Sequence, residues 1–399
     1  MSSDDLHVAS LSEALAGFSI DLIVSGSIGA VESVRFIRAL RRLSCEIHPW
    51  LTEGGAQFTT ETALSWAAAR PCKRQFDGNA SHIGGRDACV IAPASASIIG
   101  KLAQGLTDSP ATALAASYLG QGKPVLLVPN MHDSLITSPY VAANLEKLRK
   151  TCIFLEARRE EGKQKFPEPK VLADQIAHQL NSLGKDQGRP ILVTMGTTRG
   201  YIDEIRYISN YSSGALGTQL THELYRQGFP VHVVSGPCPQ TPRSYATLHF
   251  IETNEEMSEA VRDVTRAGLS GAVFAASVLD FIPATKRTGK IRSSEDLKVE
   301  FIKTPKIIGQ LTEPLPFKVG FKLETEFNAE SESLARDYLR RYALSHLVMN
   351  IRSDVSEHLH RALVFTGERR EAQEVRGKEG LAIFLAAEAK RLIPHASLA

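Results

Sequence analysis

The feature that most restricts this chain is an alternation of near-continuous aliphatic runs with helix-length amphipathic segments. In the first half the runs are IDLIVSG (20–26), CEIHPWLT (45–52), ACVIAPAS (88–95), KPVLLVP (123–129) and CIFLE (152–156). Between them, segments such as SVRFIRALRRL and SPYVAANLEKLRK repeat apolar residues at helical intervals. Strands that are apolar on both faces and separated by helices predict parallel sheets covered on both sides. After a charged, proline-bearing stretch (158–169), a closing helix and a polar linker, KDQGRP (185–190), the pattern restarts. Its runs are PILVTMG (190–196), PVHVVSGP (230–237), LHFIET (248–253), GAVFAAS (271–277), KVGFKLE (318–324) and SHLVMN (345–350). A strand–turn–strand, RALVFTGERREAQEV, and a helix, KEGLAIFLAAEAKRLI, follow. The expectation is an α/β chain of two Rossmann-like domains with parallel sheets, residues 1–184 and 185–399.

Length and composition agree with that plan. A chain of 399 residues has room for two ordinary domains, and 43% hydrophobic with 23% charged residues lets each bury a core. A net charge of +2 gives no electrostatic argument for nucleic acid or a membrane surface. The basic run RALRR (38–42) sits at helical spacing and reads as a solvated helix face. The opening MSSDDLHVAS has neither the basic nor the apolar region of a signal peptide, and no apolar run reaches the roughly 18 residues of a bilayer span. The five cysteines (Cys45, Cys72, Cys89, Cys152, Cys238) are scattered and form no CxxC pair. That argues against a disulfide framework or a zinc site and predicts a reducing, cytoplasmic setting.

In open parallel sheets, ligands gather outside the carboxyl ends of strands, where helix N-termini point free N–H groups outward. SGSIGA (25–30) follows the first strand and opens a helix; it spells G-x-x-G, not the G-x-G-x-x-G of dinucleotide sites. APASAS (92–97) is a second turn of small hydroxyl residues, and two such turns in one sheet favour a mononucleotide. In the second half the chain leaves its first strand through Gly196, Thr197, Thr198 and Arg199, then passes Arg206 and Asn210 to reach Ser212-Ser213-Gly214 before a helix. Ser212 or Ser213 is placed to cap that helix, which is worth about 1 kcal/mol. A cap alone needs neither Arg206 nor Asn210, so the stretch reads as an anion-binding loop. Further on, FAASVLDFIP ends a strand in small residues and then Asp280, and Lys290 stands in TGKIRSS. An acid and a cation on loops at one sheet edge suit Mg²⁺–nucleotide chemistry.

These residues carry a resemblance. The second half resembles the phosphopantothenate–cysteine ligase domain through ILVTMGTTRGYIDEIRYISNYSSGALG, HVVSGP, AASVLDF followed by GKIRSS, FIKTPKII, VGFKLETE and HLVMN. The first half resembles the flavin-binding domain of phosphopantothenoylcysteine decarboxylase through VSGSIGAVES, TEGGAQF, SHIGG, VIAPASASIIGKLAQGLTD and VPNMHDSLI. The two are fused in one bifunctional family of coenzyme A biosynthesis. The resemblance implies a flavodoxin-like flavoprotein domain followed by a ligase domain. The ligase is implied to place the carboxylate of 4'-phosphopantothenate on the α-phosphate of CTP, with Mg²⁺, and to let the amine of cysteine displace CMP. By position, Asn210 would hold the acyl-cytidylate and Lys290 would stabilise charge in the transfer. Arg206, Ser212, Ser213, Gly214, Ala275 and Ala276 fall at the phosphopantothenate site, and Gly196, Thr198, Asp280, Lys290 and Phe321 at the nucleotide. FMN contacts carry over to Gly26, Ser27, Ile28, Phe58, Ala92, Ser95 and Ser97, and His82 matches the decarboxylase's catalytic histidine. A homo-oligomer of ligase dimers and flavin-domain trimers is implied as well.

The flavin half departs from its family where the chemistry is done. His132 stands at the Asn of a P-x-M-N motif, and the lid region (156–169) holds no Cys to return a proton. In the ligase half Met195, Ser277-Val278-Leu279 and Lys322-Leu323 are bulkier than the family's residues, which bears on the choice between CTP and ATP. Three readings stand at this stage. Both activities run; or a ligase sits beside a flavin domain acting as scaffold or with altered chemistry; or the chain binds flavin and nucleotide without turnover.

Overall fold

The computed structural model describes residues 6–161, 163–183, 188–243, 245–292, 297–355, 360–369 and 371–393. The chain divides into two compact units, Met1–Leu180 and Asn181–Ala399. The boundary expected at 184/185 lies outside the described residues.

In the first unit β1 (Ser19–Val24), β2 (Glu46–Leu51), β3 (Ala88–Ala94), β4 (Val125–Pro129) and β5 (Ile153–Phe154) form a parallel sheet in the order β2-β1-β3-β4-β5. Around it lie α1 (Ser33–Arg42), α2 (Glu61–Ala68), α3 (Ala96–Ala103), α4 (Pro110–Gly120), α5 (Asp133–Ile136), α6 (Pro139–Leu148) and α7 (Pro169–Ser182). The unbroken apolar runs are explained by burial on both faces. Leu22, Val24, Val90 and Ala92 join a core with α1, α2 and α7. Ile23, Cys89, Ile91 and Ala94 face a second core with α3, α4 and α6. Asp21 interrupts β1 and is almost wholly buried. Trp50 Nε1 (2.8 Å) and Tyr118 Oη (2.6 Å) donate to its two oxygens, so both buried acceptors are satisfied.

The charged stretch from 158 folds back as an antiparallel hairpin, β6 (Arg158–Glu160) with β7 (Lys163–Lys165). One expectation is corrected here. The basic face of α1 is docked rather than solvated: Arg41 donates to the Ala67 carbonyl (2.8 Å) and Arg38 lies over the Trp66 ring.

The second unit holds β8 (Ile191–Met195), β9 (Arg199–Tyr201), β10 (Tyr207–Ser209), β11 (Val231–Ser235), β12 (Thr247–Phe250), β13 (Gly271–Phe274), β14 (Phe281–Pro283), β15 (Phe301–Lys303), β16 (Phe317–Glu324), β17 (His346–Val355), β18 (His360–Thr366) and β19 (Gln373–Arg376). Its main sheet runs β12-β11-β8-β13-β16-β17-β18-β19, parallel from β12 to β17 and antiparallel in the last two pairings. β9–β10 and β14–β15 are two-stranded antiparallel arms apart from it. The helices are α8 (Ala215–Arg226), α9 (Asn254–Arg266), α10 (Ala329–Arg341) and α11 (Lys378–Leu392). α8 and α11 close one core over the sheet, while α9 and α10 pack into others. A capping box at Thr253 and Glu256 starts α9, and Asn328 with Ser331 starts α10.

Each parallel sheet reverses its strand order once: between β1 and β3 in the first unit, and between β8 and β13 in the second. Crevices open at such points beyond the strands' carboxyl ends. Among the described residues no helix is long and apolar enough to cross a membrane.

Candidate functional site

At the first reversal, a cavity of about 1040 Å³ opens beyond β1 and β3. Gly26, Ser27, Ile28, Ser95 and Ser97 line it, as expected from the two turns. Ser25, buried beneath, ties the turns together: its Oγ donates to the Pro93 carbonyl (2.8 Å) and accepts from the Ser95 N–H (2.9 Å). The glycines of SGSIGA are there for close approach. A Cβ on Gly26 would lie 2.9 Å from the Gly54 carbonyl carbon, and one on Gly29 would lie 2.5 Å from Asn130 Oδ1. Ile28 is 68% exposed on the rim. Phe58 is also exposed but is not part of the lining, and Ala92 is wholly buried within β3.

Asn130 was passed over in the sequence. It is buried at the end of β4, and its Oδ1 accepts from Ser27 Oγ (2.6 Å) and the Gly29 N–H (3.2 Å), so it sets the shape of the first turn. His132 also lines the cavity and caps α5, with Nδ1 accepting from the Ser134 N–H at 3.2 Å. A backbone N–H can only donate, so Nδ1 is bare and the proton of the neutral ring sits on Nε2. From the β6–β7 hairpin, Gln164 and Lys165 complete the lining, which puts an amide and an ammonium in the lid region. His82 stands on a short turn, its ring edge-on to Phe76 (5.0 Å between centroids). Phe76 itself lines the cavity, and His82 does not. A glycine-lined turn, converging hydroxyls and an apolar rim fit an anionic tail joined to a planar ring, which is the build of FMN.

At the second reversal the loops are stitched together. Gly196 leaves β8 at φ +74°, and a Cβ there would meet the Gly236 carbonyl oxygen at 2.3 Å. The Ser277 N–H donates to the Gly196 carbonyl (2.8 Å), and the Ala275 N–H to the Thr194 carbonyl (3.1 Å). Thr197 Oγ1 donates to the Ser277 carbonyl (3.2 Å). From the end of β10, Asn210 Nδ2 reaches the carbonyls of Ser277 (3.3 Å) and Val278 (3.2 Å). The structure therefore brings Gly196, Asn210, Ala275 and Ala276 to one edge. Thr198 lies wholly beneath that edge, its Oγ1 accepting from the Leu279 N–H (3.1 Å). Phe321 is half-buried on β16, one residue beyond the last pairing with β13.

The helix start differs from expectation. Gly214 is the N-cap of α8, at φ +73° and with no side-chain cap; Ser212 and Ser213 instead accept from the N–H groups two residues on, each at 3.4 Å. The left-handed residue moves the helix start past both serines, and it also makes room for a neighbour. Met195 packs where Gly214 and Gly217 carry no Cβ, so its bulk is taken up by two glycines. Asp280 is exposed and ion-paired with Lys306 (2.5 Å). Lys290 makes no hydrogen bond or ion pair to any described residue, and Arg206 donates through Nη1 to Asp203 (2.6 Å). The serines at 293 and 294 of TGKIRSS lie outside the described residues.

Comparison with known proteins follows the same division. The Flavoprotein family model matches residues 8–181, and the model described as DNA/pantothenate metabolism flavoprotein C-terminal domain matches 186–392. A Thermococcus kodakarensis protein, "Coenzyme A biosynthesis bifunctional protein CoaBC", is 33% identical over 357 residues, covering 86% of this chain and 88% of its own. A Methanocaldococcus jannaschii protein of the same description is 26% identical over 371 residues, 90% of each chain. Among solved structures, the DNA/pantothenate metabolism flavoprotein of Streptococcus pneumoniae aligns at 22% identity and a TM-score of 0.46 over 51% of this chain and 99% of that one.

Proposed function

This chain belongs to the CoaBC family of bifunctional coenzyme A biosynthesis proteins, and on that premise we propose which reaction each unit performs. The second unit joins 4'-phosphopantothenate to cysteine through an acyl-cytidylate, driven by CTP with Mg²⁺. The observation that carries this reading is the Asn210 carboxamide, spanning the loops after β8 and β13 through the carbonyls of Ser277 and Val278. That bridge holds the small residues Gly196, Ala275 and Ala276 at one edge, where an acyl phosphate can approach the backbone closely. Phe321 and Asp280 stand near that edge on the nucleotide's side. Lys290 brings a cation to the oxygens on which charge builds as the amine attacks.

The first unit decarboxylates the ligation product with FMN in the cavity of about 1040 Å³. When bound, FMN supplies oxidation of the substrate thiol, which labilises the neighbouring carboxylate. The chain's own residues do the rest. The 26–28 turn with the Ser95 and Ser97 hydroxyls holds the phosphate, Asn130 keeps that turn in shape, and His132 presents an Nε2–H to the cavity. In the absence of a lid Cys, the Lys101 and Lys165 ammonium groups in the lining can donate the proton, as can His132 in its imidazolium form. A cytoplasmic homo-oligomer belongs to the same proposal.

One reaction tests both halves: purified protein, 4'-phosphopantothenate, cysteine, Mg²⁺ and CTP, followed by mass spectrometry. Phosphopantothenoylcysteine and a second product lighter by one CO₂ are expected. Amide alone would remove the decarboxylation, and a product lighter by CO₂ and two hydrogens would show oxidation without the final reduction. No amide would sink the ligase reading.

A further inference from the structure

We infer that Asp203 is a positioning residue for ligation, fastening the loop that carries Lys290; the inference rests on the role given to Lys290 above. Asp203 sits in the turn between β9 and β10, and its side chain is wholly buried. Oδ1 accepts from the N–H groups of Ile205 (2.8 Å) and Arg206 (2.6 Å), the pattern by which an aspartate closes its own turn. A turn needs no more than that. Oδ2, however, accepts from Arg206 Nη1 (2.6 Å) and from the N–H of Ile291 (3.1 Å), 88 residues away. Arg206 Nη1 in turn donates to the Ile291 carbonyl (3.1 Å). The residue following Lys290 is therefore gripped at both of its backbone polar groups.

The other side of Lys290 is held as well. The Arg287 N–H donates to the Ile202 carbonyl (2.9 Å), in the same turn. Between these two fixed points the chain reverses at Gly289, φ +72° with open space around its Cα. The backbone of Lys290 is thus fixed while its ammonium has no partner among the described residues. Asn210 lies at the far end of the same hairpin, so one rigid arm sets both the acyl-phosphate site and the cation that serves it. The geometry makes Asp203 act through Lys290 without touching substrate.

The test uses the full-length protein with Asp203→Asn, Lys290→Gln and the two combined. Asn keeps the turn-closing oxygen but offers Ile291 an NH₂ where it needs an acceptor. Lys290→Gln is expected to lower kcat, and Asp203→Asn to lower it by about 10- to 100-fold with KM for nucleotide moving far less, as misplacement of a fixed group does. Combining them should add nothing to Lys290→Gln, because the two lie on one path. Hydrogen exchange at the Ile291 amide should lose protection in Asp203→Asn whatever the activity. Ile291→Pro removes the Ile291 N–H from Oδ2, leaves the turn-closing bonds of Oδ1 in place and also restricts the backbone of Lys290, so it too should lower kcat if Asp203→Asn folds poorly. Additive effects in the double variant, or unchanged protection at Ile291, would overturn the inference while leaving the role of Lys290 intact. Full activity in Lys290→Gln would overturn both, and protection at Ile291 would then report a clamp of structural value only.

Discussion

At the first reversal of strand order, the loops after β1 and β3 are tied at their base by Ser25 and border a cavity of about 1040 Å³; at the second, the loops after β8 and β13 are bonded through Gly196, Thr197 and Ser277. Both are rich in glycine, serine and alanine, and both lie where a doubly wound sheet parts. The difference lies in the side chains that span the gap. In the first unit Asn130, following β4, reaches across to Ser27 and Gly29 of the loop after β1 and shapes a turn that lines the cavity. In the second, Asn210 reaches across to Ser277 and Val278, which closes the gap and leaves an edge. Volume suits a resident ring, whereas an edge suits substrates that must arrive, react and leave.

The sharpest way to break this comparison is Lys290→Gln. Loss of at least about 100-fold in amide formation is expected, the scale seen when one preorganised charge-stabilising group is removed. CMP release checks it, and flavin absorbance should be unchanged. Gly26→Val comes next, on the opposite side of the comparison. Its Cβ would meet the Gly54 backbone, so FMN retention after gel filtration should weaken by tenfold or more, roughly 1.4 kcal/mol, with ligation intact. Equal loss of ligation would mean that the two sites are not independent.

Two buried aspartates, Asp21 and Asp203, sharpen the contrast further. Tyr118→Phe removes one of two donors from Asp21 and should cost about 1–3 kcal/mol of stability in urea, without changing ligation kinetics. Asp203, by contrast, is expected to show its effect in kcat. A further effect is one of pH. Burial, then the nearby Arg243 and Arg226, lowers His222 in the second unit to about 3. Its native pKa lies below the unfolded value, so the unfolded chain takes up the proton first. The contribution is complete above about pH 6.5 and is lost as pH falls toward 3. Between pH 7 and 5 the transition of the second unit should weaken by about 2 kcal/mol in denaturant titrations, and His222→Gln should flatten that slope. Burial lowers His346 and His360 in the same direction.

What could be read in the sequence follows from the range of the interactions. The main strands were legible because a strand buried on both faces writes its environment into consecutive residues, as in β3, buried at every position. The turns at Gly26 and Gly196 were legible because close backbone approach leaves only glycine. Asp203 and Asn130 were not. Each looks like an ordinary turn or strand-end residue, and each acquires its role from a partner 88 or 103 residues away. The β6–β7 hairpin was hidden for another reason: both three-residue strands are wholly polar, so no apolar alternation marks them. The serine cap failed because a left-handed glycine one position later outweighed it.

The glycine that starts α8 has a neighbour with a use of its own. Cys238 Sγ lies 2.7 Å from where a Gly214 Cβ would be, donating to the Gln240 carbonyl at 3.2 Å. Cys45, Cys89 and Cys152 are buried, and burial pushes the Cys72 thiol up to about 12. Cys238 is thus a built-in reporter beside the Ser212–Gly214 turn, which the resemblance assigns to the phosphopantothenate site. Its rate of alkylation should register whether that loop is filled or empty, turning the space a missing methyl leaves into a gauge of occupancy.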